Sequence, residues 1–502
     1  MLRRDSVIIW LVPSILLIVA YLLQDSLHIN PDTIWLTHES NQLLAGGTYG
    51  IDFFDPNPPM ILFLYIPAAL LMKYGQINLG FAIHIYIFLM GLISLYLCSM
   101  FINKFHLFSS NLKRSLVLSV LVFVYFFIPI DELAQREHLL ILLITPYLFL
   151  AMLDAEKKHP VPVWLRIMVG IIAAVGFVIK PYFLLTPLLL EFYLGIRLRR
   201  LRLEAILILL VLIFYLALIY LVTPAYYSVM LPFITNNYIG YDEKTFWDLV
   251  SFPFCFISLL SLILLFVIRN QDKAIFNISI LALISCMGDY LLAKQEWYYH
   301  MIPMFSLAFM GLFFAAMHLL QEPWKINSIH SYLKRGIFVF AGMLLLGSIW
   351  LICLKTTIAI YTYKNAQWIN VENAVRQDHP KLIYVFSLHP DLSAVMPYDV
   401  NVHNCSSVTG FWMLPALNKK MQNPLLPARK IQEVLYIQKL VTQDFSRCQP
   451  DLVIVDVIKN KPIFNGEFDY IRFFTRYPQF AAIWHKYHFQ KKVYGLAFYT
   501  RR

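Results

Sequence analysis

The segment Asn30–Pro59, NPDTIWLTHESNQLLAGGTYGIDFFDPNPP, is the first polar stretch after an apolar run that is long enough to cross a bilayer. A proline directly before Asp32 is typical of the start of a helix, where the helix dipole favours a carboxylate. The glycine pair at 46–47 is typical of a helix end, so the sequence predicts one short surface helix that ends near Leu44. The four acids of this first loop are Asp32, Glu39, Asp52 and Asp55.

The composition around this loop is that of a membrane protein. Of the 502 residues, 59% are hydrophobic and 14% are charged, whereas soluble chains carry about 25% charged residues. Apolar runs of about twenty residues recur along the chain, and each is long enough to cross a hydrocarbon core of about 30 Å. The net charge of +11 comes largely from Lys and Arg in short loops, where the positive-inside rule places them, so it does not indicate nucleic-acid binding.

The first apolar run, from Val7 to Leu23, follows two arginines at positions 3 and 4. A cleaved signal peptide is the alternative interpretation. The run is long and no cleavage site of small residues follows it, so we expect an uncleaved membrane span. With the arginines inside, the Asn30–Pro59 loop lies outside.

The next apolar run, Pro59–Met72, is either a marginal span or a helix in the membrane interface. It contains Pro67 and covers only about 21 Å at 1.5 Å per residue. All later basic loops are cytoplasmic only if this run does not cross, so we expect a juxtamembrane helix inside a first external loop of residues 25–77. The basic loops are Lys104–Arg114, Glu156–Arg166, Arg197–Arg202, Arg269–Lys273 and Lys325–Arg335.

The sequence thus predicts an α-helical polytopic membrane protein with about eleven transmembrane helices. Residues 1–357 form the membrane domain, and residues 358–502 form a small extracytoplasmic α/β domain. The predicted spans are Val7–Leu23, Asn78–Ile102, Ser115–Ile130, His138–Leu153, Val163–Val178, Tyr182–Ile196, Ala205–Val222, Leu249–Ile268, Ala274–Leu292, Met301–Leu319 and Gly336–Leu354.

The C-terminal domain is predicted from a change of pattern. The short apolar runs KLIYVFSLH (381–389) and DLVIVDV (451–457) are typical of buried strands. FDYIRFFTRYPQFAAIWHKY (468–487) indicates an amphipathic helix broken at Pro478, and KKVYGLAFYT (491–500) indicates a final strand. Cys405 and Cys448 pair as a disulfide if this domain faces an oxidising compartment, and are free thiols otherwise.

Ionisable side chains gather in the loops predicted to be external. Cations there could hold a phosphate, and a carboxylate could accept a proton from a hydroxyl. Each group also has a structural interpretation: helix cap, ion pair, satisfied polar contact or snorkelling anchor, and the aromatic residues 297–299 fit an interfacial belt. Besides the four acids of the first loop, these groups are Asp131, Glu132, Arg136, Glu137, His138, Lys180, Lys294, Glu296 and His300.

Several enzyme classes lack their motifs in this chain. The sequence contains no HExxH, CxxC, GxSxG or P-loop motif. Metalloprotease, redox-dithiol, serine-hydrolase and ATPase functions therefore have no support from motifs.

Four segments in this order resemble the GT-C superfamily of polytopic glycosyltransferases. The chain is most similar to bacterial members of the group of dolichyl-phosphate-mannose-protein mannosyltransferases and aminoarabinose transferases. Relatives often carry two adjacent acids in the first segment, whereas here Thr33 follows Asp32. The four segments are PDTIWLTHESNQLLAGGTYGIDFFDPNPP (31–59), DELAQREHL (131–139), KPYFLLTPLLLE (180–191) and KQEWYYHMIP (294–303).

The resemblance implies a glycosyltransferase of the bacterial inner membrane with a periplasmic C-terminal domain. A sugar would pass, with inversion, from a polyprenyl-phosphate donor to a hydroxyl of a lipid, glycan or protein acceptor. Asp32 would be the general base, and Asp131 and Glu132 are candidate ligands if Mg²⁺ or Mn²⁺ takes part. The implied phosphate-binding residues are Arg136, His138, Lys180, Lys294 and His300, and the supporting acids are Glu39, Asp52, Asp55, Asp131 and Glu137.

Two other functions stay open at this point. A transporter or flippase of lipid-linked saccharides would perform no chemistry, and such proteins often carry charges midway along their spans and inverted repeats. A glycan polymerase or ligase is the second alternative, within the enzymes.

The predicted topology can be tested with alkaline phosphatase, which is active only outside the cytoplasm. We expect an active fusion after Met72 and an inactive fusion after Ile102, because Pro59–Met72 does not cross and the next run does. A fusion after Asn30, which both topologies place outside, is the control. Inactivity at Met72 together with activity at Ile102 would contradict the juxtamembrane placement.

Overall fold

The computed structural model describes residues 2–104, 108, 110–157, 160–238, 243–270, 272–321, 329–363, 365–422, 428–464 and 466–501. Parts of four predicted basic loops (104–114, 156–166, 269–273 and 325–335) lie outside these residues. The chain forms two compact units. The first comprises Met1–His28, Gly80–Ala217 and Glu243–Ile360, and the second comprises Ile29–Leu79, Leu218–Asp242 and Tyr361–Arg502.

Helices dominate the described part of the chain. In chain order they are α1 (Leu2–Ser26), α2 (Pro31–Leu44), α3 (Met60–Gly75), α4 (Leu79–Ile102), α5 (Asn111–Phe126), α6 (Arg136–Glu156), α7 (Val163–Phe177), α8 (Leu185–Leu198), α9 (Leu203–Val222), α10 (Leu231–Asn237), α11 (Phe246–Ser251), α12 (Pro253–Ile268), α13 (Lys273–Ala293), α14 (Tyr298–Gln321), α15 (Ile329–Tyr363), α16 (Ala366–Asp378), α17 (Met396–Asp399), α18 (Leu414–Met421), α19 (Ala428–Cys448), α20 (Tyr470–Phe474) and α21 (Pro478–Trp484).

Ten of the eleven predicted spans each overlap one of these helices, and Leu249–Ile268 covers the end of α11 and all of α12. Eight helical segments in the described residues are long and apolar enough to cross a membrane, which makes the chain an integral membrane protein. The predicted spans at α5, α7 and α12 are shorter helices, of 16, 15 and 16 residues. Helix α3 is also short, as its sequence predicts.

The first unit is built around α6, α13 and α14. In the most apolar stretches of α6 and α14, 94% and 89% of the residues are buried. In those of α1 and α9, only 17% are buried. Large apolar side chains on α9, such as Leu209 and Phe214, are exposed. In a membrane protein such faces contact lipid, so α1 and α9 are peripheral and α6 is central.

Five charged side chains form a buried network among α6, α7, α8 and the start of α9. The guanidinium of Arg202 contacts Asp154 at 2.9 Å, Glu191 at 2.6 Å and Glu204 at 3.4 Å. Arg166 donates two hydrogen bonds to Asp154, of 2.9 and 2.6 Å, and one of 2.9 Å to Glu204. Because a buried carboxylate needs a compensating cation, the two arginines hold four helices together.

The strands of the second unit form one five-stranded sheet in the order β2-β1-β3-β5-β4. Strand β1 pairs in parallel with β2 and β3, and β5 pairs antiparallel with β3 and β4. Four of the five residues of β1 are buried, as expected for a central strand of a parallel ladder. The strands are β1 (Leu382–Phe386), β2 (His403–Asn404), β3 (Leu452–Asp456), β4 (Tyr487–Val493) and β5 (Leu496–Arg501).

The segment KKVYGLAFYT is not one strand, so the sequence prediction for it was wrong. It is a hairpin in which Val493 pairs with Leu496 across a two-residue turn. Both turn residues have positive φ, 45° at Tyr494 and 82° at Gly495. That geometry suits a type I′ turn, whose twist matches the two strands.

Helix α2 begins and ends where the sequence predicts, but it is not a surface helix. The Asn30 side chain caps it, and Pro31 occupies its first position. Its buried residues include Trp35 and Glu39, because α3 packs along it and Ser40 donates a hydrogen bond of 2.9 Å to the carbonyl of Leu62. The first loop is therefore part of the core of the second unit.

Cys405 and Cys448 form a disulfide in the second unit, with their Cα atoms 5.8 Å apart. The bond joins the segment that follows β2 to the last residue of α19. Of the two alternatives that the sequence left open, the structure has the paired one.

Replacing Arg202 with methionine should destabilise the protein by about 3–5 kcal/mol, because Asp154 and Glu204 would then share Arg166 and Glu191 would have no arginine. The measurement is the free energy of unfolding in mixed detergent micelles. Arg200→Met, at an exposed arginine in the same loop, should change stability by no more than about 0.5 kcal/mol. Equal stability of the two variants would show that the network is not needed for the fold.

Candidate functional site

A buried cluster of charges in the first unit is organised around Glu137. This residue lies in the first turn of α6, where the helix dipole favours a carboxylate. Its Oε1 atom lies 2.5 Å from Nζ of Lys180 and 2.8 Å from Nδ1 of His300. Lys180 begins the 3-10 turn after α7, and His300 is in the first turn of α14. One carboxylate oxygen therefore connects three separate parts of the chain.

Aromatic rings cover the cations of this cluster. The guanidinium of Arg136 lies 5.3 Å from the ring centre of Tyr299, and Nζ of Lys180 lies 5.5 Å from the same ring. The ring of Trp297 stacks on His300 at 5.9 Å. Tyr299 is 8% exposed, so its expected place in an interfacial aromatic belt is wrong. These rings replace part of the water around the cations through cation–π contacts.

His138 has a different environment from the other predicted cations. Its Nδ1 accepts a hydrogen bond of 3.0 Å from the backbone N–H of Ala134, so its Nε2–H donates to the carbonyl of Tyr125 at 2.7 Å. The ring is fully buried. Ala134 has φ of 71°, an uncommon value for a residue with a side chain. His138 thus stabilises the turn that leads into α6.

Lys294 and Asp131 have partners outside the Glu137 cluster. Lys294 ends α13 with positive φ, and its Nζ lies 3.3 Å from Glu243. Asp131 lies in the 3-10 turn Ile130–Glu132, where its carboxylate is 3.1 Å from Nζ of Lys355.

A metal has no evident set of ligands at Asp131 and Glu132. The Asp131 carboxylate already contacts an ammonium group. Across the described ranges, no group of three or more His, Cys, Asp and Glu side chains is arranged to hold a metal ion.

Asp289 was missed in the sequence, although it belongs to this cluster. It lies on α13, is 3% exposed, and interacts electrostatically with Glu137 and Lys180. The signal was present: Asp289 is a lone acid within a predicted span, Ala274–Leu292. Ionisable residues at such positions are functional candidates by default.

The four acids of the first loop have distinct environments in the second unit. Asp52 pairs with Arg447 at 2.8 Å and accepts a hydrogen bond of 2.9 Å from the backbone N–H of Thr48, so it fixes the turn before the proline-rich end of the loop. Asp55 is buried and accepts a hydrogen bond of 2.7 Å from the N–H of Asn57. These two carboxylates hold the loop in shape.

Asp32 and Glu39 lie seven residues apart on α2, which places them on the same face two turns apart. Asp32 is half-buried near the start of the helix, and its N–H donates to the Asn30 side chain at 2.8 Å. Burial raises the pKa of Glu39 well above its ordinary value, and the carboxylates of Asp55 and Asp32 raise it further, partly offset by Trp35. Asp32 is thus the more accessible of these two acids.

His138→Phe should destabilise the protein by about 1–3 kcal/mol for each of the two backbone groups left without a partner. The measurement is thermal unfolding in detergent. Unchanged stability of the variant would show that these two hydrogen bonds are not needed for the fold.

No family model matches the sequence, and the sequence has no match among curated proteins. The structure is similar to the crystal structure of ArnT from Cupriavidus metallidurans bound to undecaprenyl phosphate. The two chains are 13% identical, 97% of each is covered, and the TM-score is 0.52. The predicted fold is confirmed: the chain is an α-helical membrane protein with an ArnT-like fold and a small five-stranded C-terminal sheet.

Proposed function

We propose that the chain is a membrane glycosyltransferase that moves a sugar from a polyprenyl-phosphate donor to the hydroxyl group of an acceptor. The observation that carries the proposal is the buried set of cations, Arg136 and Lys180, around Glu137 in a GT-C-type fold. The similar protein ArnT was solved with undecaprenyl phosphate bound. Buried cations with aromatic cover suit the phosphate of such a lipid better than they suit a neutral ligand.

Each residue has one task in the proposed reaction. Lys180 and Arg136 hold the phosphate and stabilise the negative charge that grows on it as the bond to the sugar breaks. Glu137 holds Lys180 in position, and His300 orients Glu137 through its hydrogen bond. Because the site is buried, this stabilisation is stronger than it would be in water.

Asp32 is proposed as the general base. The acceptor oxygen attacks the anomeric carbon, its proton passes to the Asp32 carboxylate, and the carbon–oxygen bond to phosphate breaks with its electron pair on the phosphate oxygen. Displacement of this kind inverts the anomeric configuration. The support is the position of Asp32 in the motif that resembles the family, together with its partial exposure beside buried acids.

The proposed reaction takes place on the extracytoplasmic face of a bacterial inner membrane, with the C-terminal sheet in the periplasm. The support is the distribution of basic loops in the sequence and the resemblance to bacterial relatives. The acceptor is a lipid, a glycan or a protein.

Asp32→Asn should reduce sugar transfer by at least about 100-fold, as loss of a general base does, and leave binding of undecaprenyl phosphate unchanged. The measurement is transfer of labelled sugar from the lipid-linked donors of the native membrane by the purified chain in lipid nanodiscs. Asp469→Asn, at an exposed acid that caps α20 in the same unit, is the matched control. Asparagine also caps helices well, so the control should retain both binding and transfer.

Transfer by Asp32→Asn at the wild-type rate would exclude the catalytic role. Movement of donor lipid across the membrane by the wild-type chain, with no sugar transfer, would favour a flippase instead.

A further inference from the structure

Three carboxylate oxygens in the Glu137 cluster have no hydrogen-bond partner within the described ranges. They are Oε2 of Glu137 and both oxygens of Asp289, and all three are buried. A buried acceptor without a donor costs about 1–3 kcal/mol, and more if it is charged. Such groups are rare in folded proteins, and a missing ligand is one of the usual reasons.

The position of Asp289 is fixed by close packing of α13 rather than by its own polar contacts. One turn earlier, Ser285 forms a hydrogen bond of 2.8 Å with Thr186 at the start of α8. A Cβ atom at Gly288 would lie 2.7 Å from the Leu185 side chain, so glycine allows α13 to lie close against α8. Helix α13 also packs against the 3-10 turn that begins after Lys180. The packing of α13 against α8 and this turn therefore holds Asp289 near Lys180.

The cations and the carboxylates of the cluster suit different ligand groups: the cations suit a phosphate, and the carboxylates suit a hydrogen-bond donor. Arg136 and Lys180 attract a phosphate, but the phosphodiester of a lipid-linked sugar has only acceptor oxygens. It cannot donate to Asp289 or to Oε2 of Glu137, and its charge repels both carboxylates. The groups that can satisfy these oxygens are hydrogen-bond donors, and in a sugar these are hydroxyl or ammonium groups.

We propose that Asp289, with Oε2 of Glu137, accepts hydrogen bonds from hydroxyl or ammonium groups of the donor sugar. The pair recognises the sugar next to the cations that hold its phosphate. It thereby distinguishes the sugar-bearing lipid from the lipid phosphate that remains after transfer. This inference rests on the proposed function.

A simpler role for Asp289 is to balance the charge of Lys180. In that case removal of the carboxylate would change the affinity for every lipid phosphate by a similar factor. Sugar recognition instead predicts a change only for lipids that carry a sugar. The quantity that separates the two roles is the affinity for a sugar-bearing lipid divided by the affinity for undecaprenyl phosphate. Sugar recognition predicts that this ratio changes in the variants, whereas charge balance leaves it the same.

The experiment measures dissociation constants for four lipids with the full chain in nanodiscs. The probes are undecaprenyl phosphate alone and undecaprenyl phosphate that carries a neutral hexose, a neutral pentose or an aminopentose. We expect the wild type to bind at least one sugar-bearing lipid about tenfold or more tightly than undecaprenyl phosphate, as one hydrogen bond to a charged group provides. The lipid that binds most tightly shows whether the sugar donates its hydrogen bond from a hydroxyl or from an ammonium group.

Asp289→Asn and Asp289→Ala should lose most of this preference, whereas their affinity for undecaprenyl phosphate should not fall, because the substitution removes a carboxylate that repels the phosphate. Both variants should fold, since neither oxygen of Asp289 has a hydrogen-bond partner among the described residues, and melting temperatures check this. Asp272→Asn is the matched control, because it removes an acid at the opposite end of α13 and asparagine can still cap the helix.

Three results would overturn the proposal. They are a wild type without preference for any sugar-bearing lipid, a preference that survives in both Asp289 variants, and an equal loss of affinity for all four lipids. If the wild type fails to bind undecaprenyl phosphate itself, the proposed function fails, and this inference fails with it.

Discussion

A single buried carboxylate, Glu137, sets the conditions for the candidate site. A charge in a region of low dielectric persists only with cations and donors at short range, and Glu137 obtains them from Lys180 and His300. Those partners come from the turn after α7 and from the start of α14, so this requirement brings three distant segments together.

The opposite end of α6 also carries a buried carboxylate that needs compensating cations. Asp154 lies 17 residues beyond Glu137, about 26 Å along the helix axis. There, three carboxylates and two arginines compensate one another within the protein, and every carboxylate has a cation in contact. Acceptor atoms without a donor among the described residues occur at both ends: Oε1 of Glu204 at this one, and Oε2 of Glu137 at the other. What sets the Glu137 end apart is Asp289, a buried carboxylate neither of whose oxygens has a hydrogen-bond partner in the described part of the chain.

The sequence predicted the helices because apolar runs near twenty residues leave few alternatives, and it predicted Glu137, Lys180 and His300 because loops at helix ends concentrate polar groups. The sequence carries a signal for Asp289, a lone acid among apolar residues, but it did not predict that Asp289 lies near Lys180 and Glu137, which are far from it along the chain. Nor did it predict that Tyr299 is buried, since an interfacial aromatic and one that covers a cation have the same local pattern. The position of Asp289 and the burial of Tyr299 both depend on contacts between parts of the chain that are distant in sequence.

The disulfide between Cys405 and Cys448 makes the maturation of the second unit depend on its compartment. The two cysteines are 43 residues apart in sequence, and closing a loop of that length in the unfolded chain corresponds to about 4 kcal/mol in the chain-entropy model. In a reducing environment the disulfide does not form, and the second unit lacks this stabilisation. The stability of the second unit therefore depends on the redox conditions around it as well as on its packing.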